Sequence, residues 1–340
     1  MTTQLDFSVS IAKETTYGQV ATPTRAIESE AKFKYDIQKV QGKGMRPSKR
    51  VQRGKRSSLA RLVASGDTPF EIPTSGFGLF LNAVLGVVTN TVVPTLTPTR
   101  YQQVHTLTKT DPIDSYTIQE IIPLIGGAAG QPHTFTGCVA DSIDIEAKEG
   151  EIVTAKISWL GKGMNTATPA AAAVYPGGNA DGVFTFVHGT IGLSGTLTPP
   201  TATVLGSLSG SPAANISDIS VSIKNNLDTG GYNLGGAGSR SRKNVLGVGA
   251  ITGKLTAEYD SNTLRDAYLN QTFLPLVLTF LHDDGVSVLQ IILPAILLKG
   301  EVPTTNGGAP ATQSIDFEAY DNDVAAESIY VVIRTVDTTV

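Results

Sequence analysis

Apolar and polar residues alternate with a period of two along much of this chain, as expected of strands that bury one face. The clearest run spans residues 141–160. Ile143, Ile145 and Ala147 alternate with Asp144, Glu146 and Lys148; Glu149-Gly150 turns the chain; Val153, Ala155, Ile157 and Trp159 follow. Residues 26–40 and 59–72 also read as strands. The stretch between them is kept irregular by Gly42, Gly44, Pro47 and Gly54, which makes the pair a long hairpin with a projecting tip.

Further strands follow from Ile219, Val221 and Ile223 on one face, from the alternation of residues 254–259, and from two closing runs at 313–320 and 328–336. Residues 273–281 and 286–293 form a hairpin turning at Asp284-Gly285. Two short helices interrupt this pattern. Residues 76–85 place Phe77, Phe80, Leu81, Val84 and Leu85 on one face, with Thr74-Ser75 as cap and Gly86 as stop, so this helix should lie on a sheet. After a cap at Asp260-Ser261, Leu264, Ala267 and Tyr268 recur at helical spacing. Residues 163–217 carry one formal charge, Asp181, among Ala, Gly, Pro, Ser and Thr. Residues 163–215 therefore read as an insertion with a few short strands, outside the core of a β domain built from 1–162 and 216–340.

Composition strengthens the mainly β reading. The 340 residues suffice for a sizeable core, charged residues make up only 16%, and 35 Gly and 18 Pro suit strands and turns better than helices. A single Cys138 forms no intrachain disulfide, so a reducing compartment is acceptable. The first residues, Met1 to Asp6, lack the basic-then-apolar order of a secretory signal, and folding in a cytoplasm is the expectation. The most apolar stretches are broken by His282-Asp283-Asp284-Gly285 and by Pro294, too short for a membrane helix of about 20 residues.

The net charge of −4 hides an asymmetry. Nine of the 26 basic residues (Lys39, Lys43, Arg46, Lys49, Arg50, Arg53, Lys55, Arg56 and Arg61) fall within residues 39–61, where there is no acid. All 30 carboxylates belong to the remaining body, whose charge is about −13. Nine cations would suffice for nucleic acid. Yet no aromatic side chain lies between Tyr35 and Phe70 to stack on bases, and the body is itself acidic, which favours contact with another protein subunit. Acidic outer strand faces occur twice, at Asp144/Glu146 and at Asp316/Glu318.

No catalytic or cofactor constellation emerges. Residues 247–255 look like a phosphate loop, but Val248 stands where the first glycine belongs, Leu255 replaces the hydroxyl and Thr252 breaks the dinucleotide pattern. Asp228-Thr229-Gly230 copies the aspartic protease tripeptide without the apolar residues that should precede it, and a turn explains it. Neither a nucleophile elbow at Gly206–Gly210 nor metal-ligand spacing among His105, His133, His188 and His282 is present; the histidines read as surface or loop residues.

The long early hairpin running into Ser65-Gly66-Asp67-Thr68-Pro69-Phe70-Glu71-Ile72, then the helix Ser75-Gly76-Phe77-Gly78-Leu79-Phe80-Leu81, resembles the tail tube (major tail) proteins of long-tailed bacteriophages. Phe135-Thr136-Gly137-Cys138-Val139-Ala140-Asp141-Ser142-Ile143 and Gly249-Ala250-Ile251-Thr252-Gly253-Lys254-Leu255 are similar to the same family, which leaves 163–217 as the departure. The resemblance implies a tail-tube-type β-sandwich or barrel with short flanking helices. It implies a structural virion protein, assembled in the host cytoplasm, whose six-membered rings stack head to tail into a conduit for double-stranded DNA. Tape-measure, tail terminator and distal tail proteins would be its partners, with no cofactor, metal or membrane. An early hairpin reaches the adjacent ring in such proteins, so Lys43, Arg46, Lys49, Arg50, Arg53, Lys55 and Arg56 are the expected inter-ring contact. Asp144, Glu146, Asp316 and Glu318 are candidates for the lumen lining; the alternative is that they simply face outer solvent. A tube of a contractile injection machine, a DNA-binding module using the arm and a dimeric aspartic protease are the competing readings.

Overall fold

A computed structural model describes residues 6–111, 113–125, 130–176, 182–210, 215–259, 261–300, 302, 312–323 and 325–340. The chain is mainly β. Its first half runs β1 (Ser8–Lys13), β2 (Arg25–Ile27), β3 (Lys32–Gln41), β4 (Ser57–Glu71), α1 (Gly78–Leu85), β5 (Gly86–Val93), β6 (Arg100–Leu107), β7 (Tyr116–Ile122), β8 (Gln131–Ala147), β9 (Thr154–Gly161) and β10 (Gly163–Asn165). The second half runs β11 (Gly189–Leu193), β12 (Thr196–Thr198), β13 (Ser207–Ser209), β14 (Ile216–Lys224), β15 (Ala250–Glu258), α2 (Thr263–Leu269), β16 (Leu274–Leu281), β17 (Val288–Lys299), β18 (Thr312–Ala319) and β19 (Tyr330–Thr335).

The pairing is antiparallel throughout. One broad sheet has the order β3-β4-β9-β8-β14-β15-β18-β17. Two strands carry it into neighbouring layers. The first half of β8 pairs with β7, which pairs with β1 and then β2. The first half of β17 pairs with β19, leading to β6 and β5, while β16 joins β17 to β11. Pro294 sits where β17 changes partner: Val288–Ile292 face β19, and Ile296–Lys299 face β18. A proline supplies no N–H to a ladder, so the register shift falls beside it, between Leu274 and Leu276 on β16.

The inner face of the broad sheet is the alternating apolar set read from the sequence. Ile143, Ile145, Ile157, Trp159, Val221, Ile223, Leu255, Ile315 and Phe317 are all buried in one core cluster. Phe317 imposes one local demand. Its ring lies over Gly253, where an added Cβ would come within 2.2 Å of the ring tip and 2.4 Å of the Ser220 carbonyl oxygen. Only glycine fits that crossing.

The helix α1 lies against β5, β6 and β8, and all eight of its residues are buried, Asn82 included, not only the apolar face. Its start is not capped by Thr74. Phe77 is the N-cap without a side-chain bond, and the Thr74 hydroxyl instead accepts the Gly182 N–H at 3.1 Å. Gly86 does end the helix, in the left-handed region at φ 83°. For α2, Asp260 lies outside the described residues; Asn262 is the N-cap, and Leu264 and Ala267 are buried as the spacing predicts.

The segment 163–215 contributes short strands, as expected, yet part of it enters the core. Phe184 is fully buried, and its N–H and carbonyl bridge Ile72 and Val153. Leu193 on β11 joins the same cluster. Asp181 lies outside the described residues. Residues 26–40 split into β2 and β3, and the second of these begins the arm.

Candidate assembly surfaces

The arm is the pairing of β3 and β4 from Lys32↔Asp67 to Gln41↔Ser57, plus the tip at residues 42–56. Only its inner part is anchored in the sheet, because β4 pairs with β9 from Ala64 onward. The seven residues beyond that point extend the hairpin roughly 20 Å past the last β4–β9 pair at about 3.3 Å per residue. Lys43, Arg46, Lys49, Arg50, Lys55 and Arg56 are exposed and Arg53 half-buried. None of the seven forms an ion pair among the described residues. Met45 (90% exposed) and Val51 (82%) add apolar surface to the same tip.

Two contacts fix the arm where it leaves the body. On one strand, the buried Glu120 carboxylate accepts the Phe33 N–H at 3.2 Å. Burial outweighs that bond and pushes the Glu120 carboxyl up to about 7. On the other strand, the glycine-rich loop after β14 closes over Leu62. The Leu62 N–H donates to Gly238 O at 2.8 Å, and the Tyr232 hydroxyl donates to Leu62 O at 3.4 Å. The Tyr232 ring is flanked by the guanidinium groups of Arg61 at 5.2 Å and Arg240 at 5.5 Å. Arg240 is itself buried and donates to the carbonyls of Asp228 and Thr229. The sequence offers a glycine-rich loop and a short Arg-Ser-Arg-Lys run here, but not its docking partner.

Asp144, Glu146, Asp316 and Glu318 come together on one face. Register across the broad sheet aligns Lys156, Asp144, Ser222, Thr252 and Glu318 in one cross-strand row. Thr154, Glu146, Ser220, Lys254, Asp316 and Lys299 form the adjacent row. Directly paired residues in an antiparallel sheet point to the same side, so all four carboxylates lie opposite the core. Sequence reasoning missed the lysines between them. Lys254 and Lys299 both pair with Asp316, Lys299 also bonds the Glu318 carboxylate, and Lys156 pairs with Asp144 while lying 3.6 Å from Asp67. The Lys299 ammonium, then the Tyr320 hydroxyl, hold the Glu318 carboxyl below its ordinary value. Ser222 donates to Asp144 at 2.5 Å, and Lys148 pairs with Glu146 at 2.8 Å. A depression of about 1040 Å³ continues this polar face towards Glu28, Glu30, Glu71 and Arg25.

The motifs weighed for chemistry take structural roles. Asp228 anchors a turn, accepting the Gly230 N–H at 2.6 Å and pairing with Arg242, and these contacts hold its carboxyl below the ordinary range. Residues 250–255 of the phosphate-loop lookalike are strand β15, with no helix N-terminus behind them to face a phosphate. Among the described residues no group of three or more His, Cys, Asp or Glu side chains is placed to hold a metal ion. Among the same residues no helix is long and apolar enough to cross a membrane. The histidines are not all surface residues: His105 is fully buried in β6, and His188 lies 5.2 Å ring to ring from His282 and 3.2 Å from Asp283.

Fold and surfaces together define a β-sheet building block, with one broad polar sheet face and one cationic arm that finds no ionic partner among the described residues. Comparison with protein families matches residues 6–319 to the phage tail tube proteins, and the chain belongs to that family. It is thus a structural component of a phage virion tail. A search of curated proteins returned no match.

Proposed function

We propose that six copies form a ring, that rings stack head to tail through the arm, and that the stacked bore carries genomic DNA into the host cell. The observation that supports this most is the alignment of Asp144, Glu146, Asp316 and Glu318 in two rows on one face of the sheet from which the arm projects. Ring closure would join such sheets edge to edge and remove their free edges. Their polar faces would then line the bore.

A lining for DNA must not clamp phosphate, since each free cation adds affinity. Here every lysine of the two rows has a carboxylate directly across from it or bonded to it. The wall is neutralised and net acidic, rather than uniformly negative, and with a Debye length of about 8 Å it acts at close approach. The arm residues Lys43, Arg46, Lys49, Arg50, Arg53, Lys55 and Arg56 make the inter-ring contact, and 163–215 is an insertion in the tube domain. Assembly takes place in the host cytoplasm with tape-measure, tail terminator and distal tail proteins as partners. The subunit performs no catalysis.

Negative-stain microscopy of the purified protein tests the reading. Six-fold rings, or tubes with a central hole, are expected. A monomer that persists at high concentration would overturn it.

A further inference from the structure

The register of the broad sheet fixes where the arm stands relative to everything else. β4 enters the sheet at Ala64↔Gly161 and leaves it at Glu71↔Thr154, so the arm projects from the end holding Gly161, Lys224 and Ala250. The opposite end holds the β8–β9 turn, the start of β14 and the end of β15, since Glu146 pairs with Thr154 and Ile216 with Ala257. The carboxylates collect at this second end. Glu149, Glu151 and Glu258 are exposed there, and Asp218 is half-buried.

This end is also built as a fixed surface. Glu149 N–H donates to Asp218 at 3.3 Å, which ties the turn to β14. Phe186 N–H donates to Glu151 O at 3.0 Å, which sets the short 3₁₀ turn Phe186–His188 against it and leaves Val187 86% exposed. Its cations are already paired, Lys148 with Glu146 at 2.8 Å and Arg265 with Asp266 at 2.7 Å. One end of the sheet therefore offers unpaired cations with exposed Met45 and Val51, and the other offers carboxylates with exposed Val187.

Resting on the head-to-tail tube reading, we propose that the end formed by Glu149, Glu151, Asp218, Glu258 and Val187 is the seat for the arm tip of the next copy. Donor and seat lie at opposite ends of one sheet, so copies stacked in the same orientation each repeat the contact and leave a free donor at one end and a free seat at the other. The contact propagates in one direction. Charge complementarity selects the seat and the apolar tip residues pack into it.

The test is charge reversal on each side and on both. Glu149→Lys with Glu151→Lys, and separately Arg50→Glu with Arg53→Glu, should each leave circular dichroism and melting unchanged and abolish tubes at salt where the unaltered protein forms them. The chain carrying all four changes should recover tubes. Tubes of normal salt resistance from the seat variant alone, or no recovery in the combined chain, would overturn the assignment. Should reversal disturb folding, Met45→Cys with Val187→Cys in otherwise unaltered tubes gives an independent measure. A short bis-maleimide should convert them into a ladder of linked chains, and monomers only would sink the idea. Failure of the unaltered chain to form rings or tubes would instead bring down the tube reading itself.

Discussion

His105 and Glu120 are buried groups whose titrations pull stability in opposite directions. Burial drives His105 down to about 3, with neither ring nitrogen hydrogen-bonded. The unfolded chain takes up a proton near 6.5 and the folded chain does not, so this group's contribution is present above 6.5 and lost as pH falls towards 3. Burial raises Glu120 to about 7, so its contribution is present below about 4.5 and lost as pH rises through 7. Each is worth at most about 3–5 kcal/mol. Between about 4.5 and 6.5 the two slopes cancel. In urea titrations across pH, the difference between Glu120→Gln and the unaltered protein should therefore rise from pH 4.5 to 7, and a flat difference would contradict the assignment. Gly253 gives a second test at this scale. Alanine has the better strand propensity, but its Cβ would collide with Phe317 and a backbone carbonyl. Gly253→Ala should cost about 1–3 kcal/mol by overpacking, read from the denaturant midpoint. An unchanged midpoint would show that the Phe317 ring can move aside.

At the scale of elements, the arm's direction depends on a loop distant in sequence. Tyr232 touches Leu62 and Arg61 of β4, and Arg240 holds the loop beneath it. Tyr232→Ala should leave the global melting temperature within a few degrees, because the ring is only half-buried and lies outside the core clusters. It should increase amide exchange at Leu62 and shorten or abolish tubes. Normal tube yield with faster exchange would show that arm direction is set by the sheet alone. This dependence is not visible in the sequence, and the reason is general to the molecule. Alternation in β8, β9, β14 and β18 is legible because one face of each is buried, so pattern and burial agree. The arm is legible because composition changes abruptly at residues 39–61. What the sequence hides is pairing at a distance: that Thr74 bonds Gly182 instead of capping α1, that Phe184 completes the core, and that His105 is buried. Local propensity cannot report a partner a hundred residues away.

For the whole molecule, the same limit applies to the polar face and decides how it should behave. Asp144 with Glu146, and Asp316 with Glu318, are each readable as one outer strand face, but only the order β8-β14-β15-β18 makes them neighbours and sets Lys156, Lys254 and Lys299 among them. Replacing Asp144 and Asp316 with asparagine and Glu146 and Glu318 with glutamine would leave Lys254 and Lys299 without counter-charge, Lys156 keeping Asp67 at 3.6 Å, while preserving side-chain shape. If this face lines the bore, stacking should survive, because none of the four belongs to the arm or is one of the seat's own carboxylates; the one change at the seat end is the loss of Lys148's partner Glu146. DNA would then meet unneutralised cations on every subunit. Tubes carrying the four changes should retain short duplex DNA in co-sedimentation at low salt and release it with a steep logarithmic salt dependence, the mark of phosphate contacts. Unaltered tubes should retain little. Equal, weak retention by both would place these carboxylates on the outside of the tube, and the bore would then belong to a different face of the subunit.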